Sequence, residues 1–63
     1  MISVYYNKFG ETRCCECSNY TQMLNFISLI RNRVARRLMQ PTTIEAYVDQ
    51  GDGDGEMIYQ LLT

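Results

Sequence analysis

Residues 19–40 form the only stretch of this chain with a sustained helical period, and this stretch constrains the fold more than any other feature. Its apolar residues recur every three or four positions, and at about 100° per residue they share one narrow stripe. Such a stripe must be buried against other elements. Pro41 disfavours helical geometry in the residue before it, so we expect the helix to end near Met39 or Gln40. The stripe consists of Met23, Ile27, Ile30, Val34 and Leu38.

The start of this stretch fits a helix N-terminus. Asn19 followed three positions later by Gln22 matches a capping box, in which the two side chains bond to backbone N–H groups that have no helical partner. Ser18 is the alternative capping residue. We therefore expect the helix to begin within a residue or two of Asn19.

The segments before and after the helix alternate between apolar and polar residues, as β-strands with one buried face do. Residues 2–7 and 12–17 form the first pair, and Gly10 in the connecting turn is free to adopt positive φ. Residues 43–49 and 56–62 form the second pair, separated by a loop rich in glycine and aspartate. The prediction is one α+β domain, residues 1–63, of order ββαββ. Its four-stranded, mainly antiparallel sheet packs one face against the long amphipathic helix.

Size and cysteine content limit how such a domain is stabilised. A chain of 63 residues buries only about 60% of its unfolded surface, so it needs tight packing, a cross-link or a partner subunit. Its three cysteines, Cys14, Cys15 and Cys17, are too close in sequence for a useful bridge, and one must stay unpaired. We expect reduced thiols in a cytoplasmic protein, with Cys15 and Cys17 facing the core because the charged Glu16 faces away. A homodimer or a binding partner is the expected supplement.

The residues that usually carry catalysis or hold metals are scarce. The chain has no histidine, no serine–lysine constellation and no phosphate-binding loop, so we predict that it is not an enzyme. The cysteines form one cluster, whereas zinc sites use two separated pairs. A redox or metal-linked role for them is a third and weaker alternative. The acidic loop at residues 49–56 resembles part of a calcium loop, but both end ligands fail and its flanks are strands. We predict no metal and no cofactor, and a solvated hairpin loop.

Charge is distributed unevenly, although the formal net charge is only −1. Four arginines crowd the end of the helix, and five carboxylates follow it in the sequence. On a helical wheel, one flank combines two apolar residues outside the stripe with three guanidinium groups. Interfaces favour this composition, so the flank is the predicted partner-binding surface. Its members are Phe26, Leu29, Arg33, Arg36 and Arg37, and Arg31 lies on the opposite flank.

A second predicted surface is the face of the sheet that points away from the helix. Several apolar residues there indicate an interface, most simply a twofold dimer. The last strand could bury either alternate set of residues. We favour Met57, Tyr59 and Leu61 inward, since the other set shares its face with the polar Gln60. The outward residues expected in the dimer contact are Tyr5, Tyr47, Ile58 and Leu62.

These patterns favour a binding protein over an enzyme. No apolar run approaches the ~20 residues needed to span a bilayer, and the first residues lack the features of a signal peptide, so we expect no membrane association. The predicted function is a non-enzymatic module that binds a host or cognate protein. By analogy of size alone, it is typical of inhibitors or regulators that phages and mobile elements encode. The alternative is nucleic-acid binding by the arginine-rich helix, against which the net charge, the downstream carboxylates and the missing helix-turn-helix pattern weigh.

Overall fold

The computed structural model describes residues 1–48 and 55–63, and these residues form the predicted ββαββ arrangement. Every pair of neighbouring strands is antiparallel, and the strand order in the sheet is β2-β1-β3-β4. The two hairpins therefore join within one chain, through their first strands. The elements are β1 (Ile2–Lys8), β2 (Glu11–Cys17), α1 (Tyr20–Ala35), β3 (Thr43–Val48) and β4 (Glu56–Leu62).

The core lies between the apolar stripe of α1 and one face of the sheet. Met23, Ile27 and Ile30 are buried there, together with Val4 of β1 and Ile44 of β3. Apolar surface removed from water stabilises the fold by about 25 cal/mol per Å², so this contact supplies most of the driving force. On β2, Cys17 is buried and Cys15 is half-buried, which confirms their predicted facing.

The helix begins as the sequence predicts. Asn19 is the N-cap, and its side-chain oxygen accepts a hydrogen bond of 2.8 Å from the N–H of Gln22. The side chain of Gln22 in turn accepts a bond of 2.9 Å from the N–H of Ser18. The reciprocal bond of the capping box thus reaches one residue further back than its usual partner, the N–H of the cap itself.

The helix ends at Ala35, earlier than predicted from Pro41. The N–H of Arg37 bonds to the carbonyl of Val34, and the N–H of Leu38 bonds to the carbonyl of Arg33. This pair of bonds is a Schellman motif, which requires a left-handed residue just after the helix. Arg37 is that residue, with φ of 59°. The proline limits only how far a helix can extend, and the left-handed turn comes first.

The early end of the helix changes which of two neighbouring side chains is buried. Leu38, predicted as the last member of the buried stripe, is 68% exposed, because the chain has already left the helical path. Met39 is 7% exposed and joins the core instead. Val34, the member before the turn, is half-buried against the core.

A β-bulge corrects the predicted facing of β4. Ala46 pairs with Tyr59, whereas the next residue, Tyr47, pairs with Met57, so Ile58 is the extra residue of the bulge. Beyond the bulge the alternation changes phase. Met57, predicted inward, therefore shares the outer face with Tyr47 and is exposed, while Ile58, predicted outward, packs against the core.

The rest of β4 follows the prediction. Tyr59 and Leu61 are half-buried against the core. Leu62 alternates with Leu61, lies on the outer face and is exposed.

Replacing Ile30 with alanine should destabilise the domain by about 2–5 kcal/mol, because it leaves a cavity under the helix. That loss is comparable with the whole stability of so small a chain, so Ile30→Val, with an expected cost of about 0.5–1.5 kcal/mol, gives a measurable intermediate. The exposed neighbour Leu29 is the control, and Leu29→Ala should change stability by less than about 1 kcal/mol. Urea denaturation measures all three. Equal effects at positions 29 and 30 would contradict the observed helix facing.

Replacing Arg37 with glycine should raise the unfolding free energy by about 0.5–1 kcal/mol, because glycine adopts positive φ without steric cost. Arg33→Gly is the matched control, since it makes the same exchange inside the helix and should lower stability by about 1 kcal/mol. Thermal and urea denaturation give the two signs. A loss of stability in both variants would contradict the left-handed turn at Arg37.

Candidate functional site

The turn between β1 and β2 contains an unusual residue for its geometry. Phe9 and Gly10 form a two-residue connection, with φ of 53° and 82°. Positive φ at both positions is the signature of a type I′ turn, in which asparagine followed by glycine is preferred. A bulky aromatic residue in the left-handed region is a conformational outlier. Phe9 is also 73% exposed, so the core does not explain its presence.

Neighbouring groups hold this turn in place. The N–H of Gly10 donates to the side-chain oxygen of Asn7 at 3.0 Å. The N–H of Asn7 in turn donates to the hydroxyl of Thr42 at 2.8 Å. The conformation of Phe9 is therefore fixed from two sides, as a strained residue must be if it is to persist.

Thr42 joins three parts of the chain at this end of the molecule. It is buried, its N–H donates to the hydroxyl of Thr63 at 2.9 Å, and its carbonyl accepts from the N–H of Thr63 at 3.1 Å. With its bond to Asn7, it ties the end of β1 and the residue after β4 to the start of β3. The segment between α1 and β3 is thereby held against the β1–β2 turn.

The side chains of Phe9 and Arg37, whose backbones are both left-handed, line one groove between this turn and the end of the helix. Within residues 1–48 and 55–63, Phe9 and Arg37 are the only residues other than glycine with positive φ. The groove has a volume of about 460 Å³ and is open to solvent. We call it the helix-end groove, and its lining is Phe9, Val34, Arg37, Leu38, Met39, Gln40 and Pro41.

The surroundings of the helix-end groove are positively charged. Arg33 and Arg36 flank Arg37 at the end of the helix, and Lys8 precedes Phe9. In the part of the chain that the structure describes, none of these cations forms an ion pair; the ion pair found there joins Arg13 to Glu11 at 3.0 Å. The guanidinium groups are therefore exposed and available to an external anion.

The structure separates the five residues of the predicted helix flank. Phe26 is half-buried against the core, and its ring meets that of Tyr6 edge-on at 5.4 Å, so it is not a surface residue as the helical wheel suggests. Leu29 and Arg33 are exposed on the helix. Arg36 and Arg37 lie beyond the last helical residue, where wheel positions no longer apply. Of the five, only Arg37 lines the helix-end groove.

Sequence reasoning missed the groove because it placed residues 36–39 inside the helix. A usable signal was present at the turn, where phenylalanine precedes Gly10 in place of the asparagine that a two-residue hairpin favours.

The outer face of the sheet carries the two predicted tyrosines. Tyr5 and Tyr47 meet edge-on at 5.7 Å. The hydroxyl of Tyr47 donates to Glu45, and this hydrogen bond, with smaller contributions from burial and nearby charge, raises the pKa of Tyr47 above its usual value. Strand register adds Glu16 to this face and no described cation. Face-to-face pairing of two copies would bring like charges together, so the dimer through this face stays a prediction that charge does not favour.

Of the three cysteines, Cys17 is poorly suited to thiol chemistry. All three are free thiols, and Cys14 alone is fully exposed. Burial raises the pKa of the Cys17 thiol, and Cys15 beside it raises it further. A raised pKa keeps the thiol protonated, which makes it a poor nucleophile and a poor metal ligand.

Two further findings concern the described residues alone. Among them, no three cysteine or acidic side chains are grouped closely enough to hold a metal ion. The helix is also too short and too polar to cross a bilayer. The candidate calcium loop falls mainly on residues 49–54, which lie outside the described part of the chain.

Comparisons with protein-family models, curated proteins and solved structures found no match to this chain.

Replacing Thr42 with valine should lower the unfolding free energy by about 1–3 kcal/mol, because the N–H of Asn7 loses its acceptor in a partly buried site. Thr42→Ser is the control, since it keeps the hydroxyl. Hydrogen exchange at the amide of Asn7 separates the two variants: valine should remove its protection and serine should retain it. Equal protection in both would show that Thr42 does not hold the turn.

Proposed function

We propose that this chain is a non-enzymatic interaction module that binds a partner protein through the helix-end groove. One observation carries the proposal: both left-handed side chains of the described chain, Phe9 and Arg37, line the same groove. A module that works by occupying a partner's surface is an inhibitor or regulator in its effect. Its small size fits the host-directed proteins of phages and mobile elements, and its three free thiols fit the cytoplasm.

Fold stability does not account for the two residues. A side chain in the left-handed region costs roughly 1–2 kcal/mol. A domain of this size has a total stability of only roughly 3–9 kcal/mol, taking about 0.05–0.15 kcal/mol per residue. Both side chains are exposed, so burial does not offset this cost. Strain of this kind clusters at binding sites, where the conformation presents a side chain to a ligand.

The composition of the groove fits a protein interface. Phe9 and Leu38 expose large apolar surfaces beside the guanidinium of Arg37. Aromatic and arginine side chains beside apolar neighbours are the usual anchors of protein contacts. The Schellman motif and the bonds of Thr42 fix the backbone before binding, which reduces the entropy lost on association.

Nucleic-acid binding is the second candidate, and the unpaired guanidinium groups of Arg33, Arg36 and Arg37 favour it. Phosphate contacts release counterions, so affinity falls as salt concentration rises. Each such contact should make the slope of log affinity against log salt concentration more negative by about one. A protein ligand with one or two ion pairs gives a much shallower slope. Retention on single- and double-stranded DNA and RNA at several salt concentrations therefore separates the two candidates.

Phe9→Asn and Arg37→Gly should both weaken partner binding while they stabilise the fold. Asparagine suits the first position of a type I′ turn, and glycine suits the position after a Schellman helix end, but each removes a side chain from the groove. Affinity purification from host lysate with quantitative mass spectrometry identifies proteins retained by the wild type, and the purified candidate then gives affinities. A loss of binding with a raised melting temperature cannot be attributed to unfolding.

Arg31→Glu is the control for general charge effects. Arg31 lies on the other side of the helix, beside Ser28 and Asn32 and away from the helix-end groove. This variant should bind the partner normally. If Phe9→Asn and Arg37→Gly also bind with full affinity, the groove is not the contact surface and the proposal is wrong.

A further inference from the structure

We infer that the helix-end groove takes an acidic amphipathic segment, which places one apolar side chain in the groove and one carboxylate on Arg37. This inference rests on the proposed function, because it names the chemistry of the partner at the same site.

The walls of the groove select an apolar anchor. Val34, Leu38, Met39 and Pro41 contribute aliphatic surface, and Phe9 closes the side formed by the β1–β2 turn. The groove, about 460 Å³ in volume, is open to solvent, so it covers one side of an apolar side chain that lies in it. An aliphatic or aromatic side chain that lies there removes apolar surface of both partners from water, which favours binding.

Arg37 selects an anion at the edge of the same groove. Its guanidinium carries two parallel donors that match the two oxygens of a carboxylate. The left-handed backbone at Arg37 fixes where the side chain leaves the chain, and no described carboxylate pairs with it. Arg33 and Arg36 can contact further carboxylates of the same segment.

The partial negative charge at the C-terminus of the helix repels an anion, but the positive charge of the arginines is larger. The C-terminus of a helix carries about half an elementary negative charge. Two of the carbonyl groups there already accept bonds from the N–H groups of Arg37 and Leu38, and three arginines lie in or just after the last helical turn. The sum is positive, so a carboxylate is attracted.

A protein carboxylate fits this surface better than a nucleic-acid phosphate. Among the residues that the structure describes, Phe9 alone contributes an aromatic ring to the groove, whereas single-stranded binders stack successive bases on several aromatic side chains. The remaining walls are mostly aliphatic and suit an aliphatic or aromatic protein side chain. Glu11 follows the turn, and the outer sheet face is acidic, so a long polyanion would meet repulsion beyond the groove.

Three synthetic 12-residue peptides test the inference by NMR titration of the ¹⁵N-labelled protein. Each carries leucine every three or four residues, and the intervening positions are glutamate, glutamine or lysine. A 12-nucleotide single-stranded DNA is the fourth probe. The glutamate peptide should bind and shift the amide signals of Phe9, Arg37 and Leu38. The glutamine peptide should bind roughly three- to tenfold more weakly, because it loses the carboxylate contacts of Arg37 and its neighbours and each exposed ion pair contributes little.

Variants then locate the charge contact. Arg37→Gln keeps a long polar side chain and should weaken binding of the glutamate peptide roughly two- to fivefold while leaving binding of the glutamine peptide nearly unchanged. Arg31→Gln, on the other side of the helix, should affect neither peptide. Equal effects of the two substitutions would show that only the overall charge matters, and the inference would fail.

Other results of these titrations would also overturn the inference. No binding of the glutamate peptide, equal binding of the glutamine peptide, tighter binding of the DNA, or shifts confined to Tyr5 and Tyr47 would each overturn the inference. The proposed function fails separately, when Phe9→Asn and Arg37→Gly retain the purified partner. If those variants lose the partner but the glutamate peptide does not bind, the groove is the contact surface and only the ligand chemistry is wrong.

Discussion

Burial of one helical stripe against one face of the sheet holds this domain together, and every other feature depends on it. Met23, Ile27 and Ile30 reach the core with Val4 and Ile44, and the other buried apolar residues among those described are Ile2, Cys17, Met39 and Ala46. Such a thin core leaves a small margin of stability. The left-handed backbone at Phe9 and Arg37, both outside the core, therefore takes up a large share of that margin. In a larger protein the same strain would be minor and would say less about function.

The end of the helix links this core to the helix-end groove. At Arg37 the chain turns left-handed, and this one φ angle decides that Met39 enters the core and Leu38 faces solvent. The same turn directs Arg37 along the groove wall. The left-handed turn thus buries Met39 in the apolar core and leaves the apolar side chain of Leu38 exposed beside it. Thr42 then fixes that surface against Phe9 through its bond to the end of β1.

Local patterns in the sequence were enough for the order of elements, the cap at Asn19 and the facing of Cys15 and Cys17. Each of these depends on neighbours a few residues away. The bulge at Ile58 and the turn at Arg37 were not predictable in this way, because neither glycine nor proline marks them. Both depend on how distant segments fit together once the core forms. The groove could not be predicted for the same reason, since it forms where a hairpin turn meets the end of a helix that is distant in the sequence.

The distribution of charge bears on how a partner would approach. Arg37 lines the helix-end groove, and Arg33 and Arg36 precede it in the chain. The outer sheet face carries Glu16 and Glu45, so charge is distributed asymmetrically despite a formal net charge of −1. Such asymmetry steers an acidic ligand toward one end during encounter and turns it away from the sheet. Once the ligand arrives, apolar contact with Phe9 and Leu38 contributes most of the affinity, because exposed ion pairs contribute little. On this view the arginines set the orientation and the rate of association, and the strained aromatic residue sets the lifetime of the complex.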